Sequence, residues 1–99
     1  MKIDFGKILN DLDGTPIPDG AKVLTLAAVS ANALLLKDQQ DNIDELESRR
    51  RYDLAAAIYK ATEPYEVAPA DILLIKKQIN KGFAILVSGQ ALPLLDVAA

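Results

Sequence analysis

The sequence predicts a mainly α-helical fold: a compact bundle of three to four helices with an N-terminal β-hairpin or extended arm. Three observations predict it. Apolar residues make up 51 % of the 99 residues and are nearly all aliphatic, with aromatics at 5 %, which suits a helical core packed through Ala, Leu, Ile and Val. Apolar spacing shifts near residue 25 from alternation to the helical period. The longest uncharged stretches, Val23 to Leu36 and Gly82 to Leu95, hold 14 residues each, enough for a buried helix and short of the roughly 20 that a membrane span needs. A chain of this length buries roughly 60 to 70 % of its unfolded surface, so it supports one core. We therefore read 1–99 as a single domain, with 1–24 as the hairpin or arm and 25–95 as the helical core.

In the first segment Ile3 and Phe5 alternate with charged residues, and Asp13-Gly14 and Asp19-Gly20 are turn dipeptides. Thr15-Pro16-Ile17-Pro18 cannot be helical, because each proline pushes the residue before it into an extended conformation. Lys22 to Leu24 is the return strand. Thr25 can then cap a helix in which Leu26, Val29, Ala33 and Leu36 follow at helical spacing, with Ala27, Ala28, Ser30 and Ala31 between them. Small residues on several sides place that helix at the centre of the fold.

After a polar linker over 37–42, a second helix runs from about Ile43 to Ala61, ended by Thr62-Glu63-Pro64. Its inner stripe is Ile43, Leu46, Leu54, Ala57, Ile58 and Ala61, while Glu45 with Arg49 and Glu47 with Arg51 are favourable i,i+4 pairs. Tyr65-Glu66-Val67 reads as a connector. Pro69 opens a third helix as its first residue, Asp71 in the first turn and Lys76, Lys77 and Lys81 towards the end complement its dipole, and Gly82 reads as a C-cap or pivot. Ile72, Leu74, Ile75 and Ile79 form its buried side. Phe83 to Leu95 is a further apolar segment, interrupted by Gly89 and Pro93, that must be buried in the core or in a partner.

Composition excludes much chemistry. Cysteine and histidine are both absent, so there is no disulfide, no thiolate nucleophile, no Cys/His zinc site and no histidine for general acid/base work. A net charge of -3 argues against a nucleic-acid footprint, which needs a concentrated positive field. Met1-Lys2-Ile3-Asp4-Phe5 has no apolar run of the secretory kind. We expect no enzyme activity, no cofactor, no metal and no membrane insertion. A small-molecule ligand is left open without a motif to support it.

Two strings invite chemistry. Asp11-Leu12-Asp13-Gly14-Thr15 resembles the nucleophile motif of haloacid dehalogenase phosphatases, which implies a phosphorylated first Asp and an acid/base second Asp. That fold needs a Rossmann-like sheet and further companion residues, whereas Pro16 and Pro18 follow here at once, so a hairpin turn is the preferred reading. The same stretch set on an EF-hand loop, with Gly14 at position 6, puts Leu9 and Gly20 where ligands must stand, and neither can serve.

The remaining candidates are surfaces. Tyr52, Ala55, Ala56 and Tyr59 give the second helix another apolar face, roughly opposite Leu54, Ile58 and Ala61, on which alanines let a backbone approach and tyrosines suit an interface. We expect it to be covered by a protein partner, a second copy or the arm, Ile3 to Ile17. Arg49, Arg50 and Arg51 form a basic cluster able to grip phosphate or an acidic partner. Arg49 and Arg51 have acidic neighbours one turn earlier, leaving Arg50 spare on the inner stripe, where it can snorkel. Asp38, Asp41, Asp44, Glu45 and Glu47 cap the second helix and complement its dipole, and the same run can act as a nucleic-acid-mimicking or Arg-binding surface.

Taken together, "DLDGTPI", "LTLAAVSANALL", "RRYDLAAAIYK" and "DILLIKKQINKGFAILVSGQALPLL" resemble small proteins encoded by tailed bacteriophages and prophages, over Ile3 to Leu95. The resemblance implies a phage or prophage origin and a bacterial cytoplasmic setting, and it carries no active-site residues. The expected function is a non-enzymatic protein-interaction module, an accessory or assembly factor acting through oligomerisation or one protein partner. The alternative is an inhibitor of a bacterial anti-phage defence system that binds a protein or sequesters a nucleotide.

Overall fold

The structure, a computed structural model, describes residues 2–36 and 42–96. Its elements follow the order β1 (Lys2–Ile3), β2 (Pro18–Asp19), β3 (Lys22–Val23), α1 (Leu26–Leu35), α2 (Glu45–Lys60), β4 (Tyr65–Glu66), α3 (Pro69–Gly82) and α4 (Ile85–Leu95). The fold is mainly helical, with four helices among the described residues. Of the expected polar linker only Asn42 is described; 37–41, with Asp38 and Asp41 of the acidic run, lie outside the described residues.

The N-terminal segment is part of the core. Ile3, Phe5 and Leu9 are fully buried with Leu26 and Val29, so the stretch read as an arm packs within its own chain. Backbone bonds explain why it stays there. The amides of Leu26 and Ala27, which begin α1 and have no helical acceptor, donate to the carbonyls of Lys7 and Phe5 at 2.8 Å each. Thr25 supplies the third acceptor, its hydroxyl taking the Ala28 amide at 3.2 Å. α1 thus needs no acidic first turn, and it has none.

β2 and β3 form the expected hairpin, with Pro18 opposite Val23 and Asp19 opposite Lys22. Gly14 and Gly20 have φ of 90° and 63°, a region that side chains with a Cβ rarely enter, so both Asp-Gly pairs are turns for a steric reason. A second pairing was not anticipated. Tyr65-Glu66, read as a connector, is the strand β4 and pairs antiparallel with β1, Lys2 opposite Glu66 and Ile3 opposite Tyr65.

α1 lies between α2 and α3, and seven of its ten residues are buried, as its small residues predicted. α2 is capped by Asp44, whose carboxylate accepts the Glu47 amide at 2.8 Å. Its inner stripe differs from expectation: the buried residues are Ala55 and Ile58, while Leu46 is 77 % exposed. Length explains this. The sixteen residues of α2 rise about 24 Å and the ten of α1 about 15 Å, and α1 runs alongside the C-terminal half, leaving Leu46 without a neighbour to cover it.

α3 starts at Pro69 and buries Ile72, Ile75 and Ile79 as expected, together with Gln78. The Gln78 amide donates to the carbonyls of Ala33 and Leu36 at 3.3 and 3.1 Å, so one polar side chain caps the C-terminal end of α1 from the neighbouring helix. Gly82 is not a left-handed cap, since among the described residues only Gly14 and Gly20 have positive φ. Its value is proximity: a Cβ there would stand 2.2 Å from Leu36 Cδ1. α4 packs on α3 and continues through both Gly89 and Pro93, which were expected to interrupt it. Pro93 falls in the last turn, where a missing amide costs one ladder bond only. Ala91 and Leu95 are buried, but Ile85 at the start of α4 is 86 % exposed.

Candidate functional site

Side by side, α1 and the C-terminal half of α2 leave a groove of about 510 Å³. Ala28, Ala31, Asn32 and Leu35 line it from α1, Tyr52, Ala55, Ala56, Tyr59 and Lys60 from α2, and Asp19 from the hairpin. Small side chains create it, because alanines on both helices let the backbones approach and leave no bulk to fill the seam. The groove brings together four of the residues singled out from the sequence. Their exposures divide them. Tyr52 is 64 % and Tyr59 55 % exposed, whereas Ala55 is buried at 3 %. Ala55 was expected on the tyrosine face, under a partner, a second copy or the arm. It lies about 60° around the helix from Tyr52 towards the core, and α1 covers it. The N-terminal segment, one expected cover for the rings, packs elsewhere and contributes Asp19 alone to the groove.

Arg49, Arg50 and Arg51 lie outside the groove, and two of them are committed. Arg51 Nε donates to Glu47 Oε2 at 2.8 Å. Arg50, expected to be spare, is the most engaged of the three: Nε and Nη2 fork onto both Glu47 oxygens at 2.9 Å each, and Nη1 reaches Asp71 of α3 at 2.6 Å. Nor does it snorkel from an inner stripe, because Asp71 at the start of α3 gives it a partner across the helix pair. The two guanidiniums, Arg50 first, hold the Glu47 carboxyl down at about 2, and Glu47 and Asp71 keep Arg50 protonated above its ordinary range. Arg49 is left with one loose pair, 3.6 Å from Glu45. The cluster therefore ties α2 to α3, with little charge spare for a phosphate. Lys76, expected to complement the dipole of the third helix, pairs with Asp96 after α4.

Asp11 to Thr15 form the expected turn. The Asp11 amide donates to the Thr15 carbonyl at 2.7 Å and the Gly14 amide to the Asp11 carbonyl at 2.9 Å. Asp13 accepts from both the hydroxyl and the amide of Thr15, and these bonds, the hydroxyl first, hold its carboxyl below the usual value. Among the described residues no group of three or more acidic side chains is placed to hold a metal ion, and no helix is long and apolar enough to cross a membrane.

A second hollow, of about 540 Å³, escaped the sequence reading. Asn10, Asp11 and Leu12 of the turn and Ile85, Leu86, Gly89 and Gln90 of α4 line it. Gln90 fastens the two parts, accepting the Asn10 amide at 2.8 Å and donating to the Asn10 carbonyl. Leu12 is 96 % exposed beside it. A leucine at the tip of a polar turn was the available signal.

No family model, curated protein or solved structure matches the chain. Function must therefore be argued from these surfaces.

Proposed function

We propose that the chain is a non-enzymatic protein-interaction module of phage or prophage origin, working in the bacterial cytoplasm as an accessory or assembly factor. The groove between α1 and α2 is its contact surface. One observation carries the reading: two tyrosine rings of α2 stand more than half exposed along a floor of alanines that α1 and α2 share, and buried packing fixes the two helices against each other. Tyrosine buries much area at low entropic cost and keeps its hydroxyl satisfied in water, which is why it recurs at interfaces. Rigid helices hold the rings in place before binding, which lowers the cost of association.

The experiment is site-specific photocrosslinking in a bacterial host. A photoreactive phenylalanine analogue is placed at Tyr52 or Tyr59, with exposed Lys77 of α3 as the control position. Adducts of defined mass from 52 and 59 that are absent from 77 are expected. Equal labelling from all three positions, or none from the tyrosine positions, would refute the assignment.

A further inference from the structure

We propose that the groove face of α2 pairs with the same face of a second copy of this chain, antiparallel, about a two-fold axis passing between Ala55 and Ala56. This deepens the interaction-module reading and rests on it. A two-fold contact demands a surface complementary to itself, in which each residue that meets another is met by it in return. The order along α2 has that property. Tyr52, two residues, Ala55, Ala56, two residues, Tyr59 reads the same in both directions. Antiparallel pairing about its midpoint sets Tyr52 of each copy opposite Tyr59 of the other. At 100° and 1.5 Å per residue the two rings of one chain lie within about 20° around the helix and roughly 10 Å apart along it. Between the rings Ala55 lies under α1 and Ala56 is the small residue left part-exposed, so no large side chain intervenes and each ring can pack on its counterpart in the second copy.

Charge selects the second copy and the antiparallel direction. Asp53 follows Tyr52 and Lys60 follows Tyr59, so both lie on the same flank of the tyrosine ridge, seven residues apart. Both are exposed, and among the described residues neither has an ion-pair partner in the chain. In an antiparallel helix pair like flanks meet, so each Asp53 comes to the Lys60 of the other copy and two equivalent ion pairs form. A parallel pair sets that flank against the opposite one, where Arg51 is held by Glu47 and Ile58 is buried, and the charges gain nothing. One helix face is smaller than the roughly 800 Å² per partner of a standard stable interface. The association is therefore weak and depends on concentration.

The test is light scattering and sedimentation equilibrium of the full chain from micromolar to millimolar concentration, with Asp53→Lys, Lys60→Asp and the double reversal. Each single reversal is expected to raise the dissociation constant roughly tenfold or more by placing like charges opposite one another, and the double reversal to return it to within about threefold of the original. Unchanged circular dichroism shows that the exposed substitutions leave the fold intact. A monomer at every concentration overturns the proposal, as does a dimer that ignores the single reversals or is weakest in the double variant. Crosslinks from Tyr52 to a different protein only, with a monomeric chain, overturn this pairing and leave the interaction module standing. A monomer that crosslinks to nothing overturns both.

Discussion

Replacing Gln78 tests how α1 is held at its C-terminal end. Gln78 is 3 % exposed and, among the described residues, is the side chain that bonds to that end, whose last turn has no basic residue. Gln78→Met keeps the volume and removes both donors. The Ala33 carbonyl, in a buried bond, keeps the Leu36 amide as a partner at 3.2 Å, while the Leu36 carbonyl is partly reached by water. Two net hydrogen bonds of roughly 0.5 to 1.5 kcal/mol each, the second discounted for water, give a loss of about 1 to 2 kcal/mol. Gln78→Ala also removes one buried methylene, Cγ, at about 0.8 kcal/mol, for a total of about 2 to 3 kcal/mol. In a domain of this size, about 1 kcal/mol moves Tm by roughly 4 to 8 °C. Thermal melts and urea titrations are the assay, and the midpoint should fall while the urea slope stays constant. Gln78→Met as stable as the original would show that packing alone holds the end of α1 and that the two bonds contribute nothing.

Other parts of the fold give further expectations. The Ser30 hydroxyl is fully buried and has no hydrogen-bond partner, so Ser30→Ala should stabilise by about 1 kcal/mol, since an unpaired buried hydroxyl costs about 1 to 3 kcal/mol and Ala is the better helix former; a lower melting temperature would contradict this. Glu47 has its carboxyl lowered from 4.5 to about 2, so its pairing contributes stability above pH 4.5 that is lost as the pH falls from there to about 2. Because the groups are partly exposed the amount is about 1 kcal/mol or less, and Glu47→Gln should flatten that limb of a stability curve measured by urea titration against pH. A chain ending at Lys81 loses α4, with buried Leu95 and the half-buried Phe83, Val87, Leu92 and Leu94 that pack on the core. At roughly 1.5 to 3 kcal/mol for each fully buried large side chain, this is comparable with a whole domain stability of about 5 to 15 kcal/mol. Cooperative melting should vanish, and a transition at the full-length temperature would refute the role given to α4.

What was legible in the sequence is what neighbours along the chain determine. Thr25 starts α1 and Pro69 starts α3 because a cap and a fixed φ act within one turn. Asp13-Gly14 and Asp19-Gly20 mark turns for the same local reason. The helical period also put Tyr52 and Tyr59 on one face of α2. Features set by the relative placement of elements were not legible. β4 is two residues long, and only the arrival of Lys2 and Ile3 beside it makes it a strand. Leu46 has an apolar period but no partner, because α1 is shorter than α2. Arg50 has a free position by local pairing and finds Asp71, 21 residues on, only once the fold brings the start of α3 within its reach. Ala55 shares the tyrosine face by sequence and is covered because α1 approaches from that side. Gln78 and Gln90 carry no sequence mark of the two clamps they make.

The most direct test of the tyrosine-bearing surface is the double variant Tyr52→Glu with Tyr59→Glu, followed by circular dichroism for the fold and light scattering for the mass of the complex found by crosslinking. Both rings are more than half exposed, so charging them costs the core little, and the account predicts retained helicity and a near-unchanged melting temperature together with loss of the complex. A complex that survives would contradict the account by showing that the working surface lies elsewhere on the fold. Global unfolding would contradict it as well, by showing that the rings serve the chain's own core.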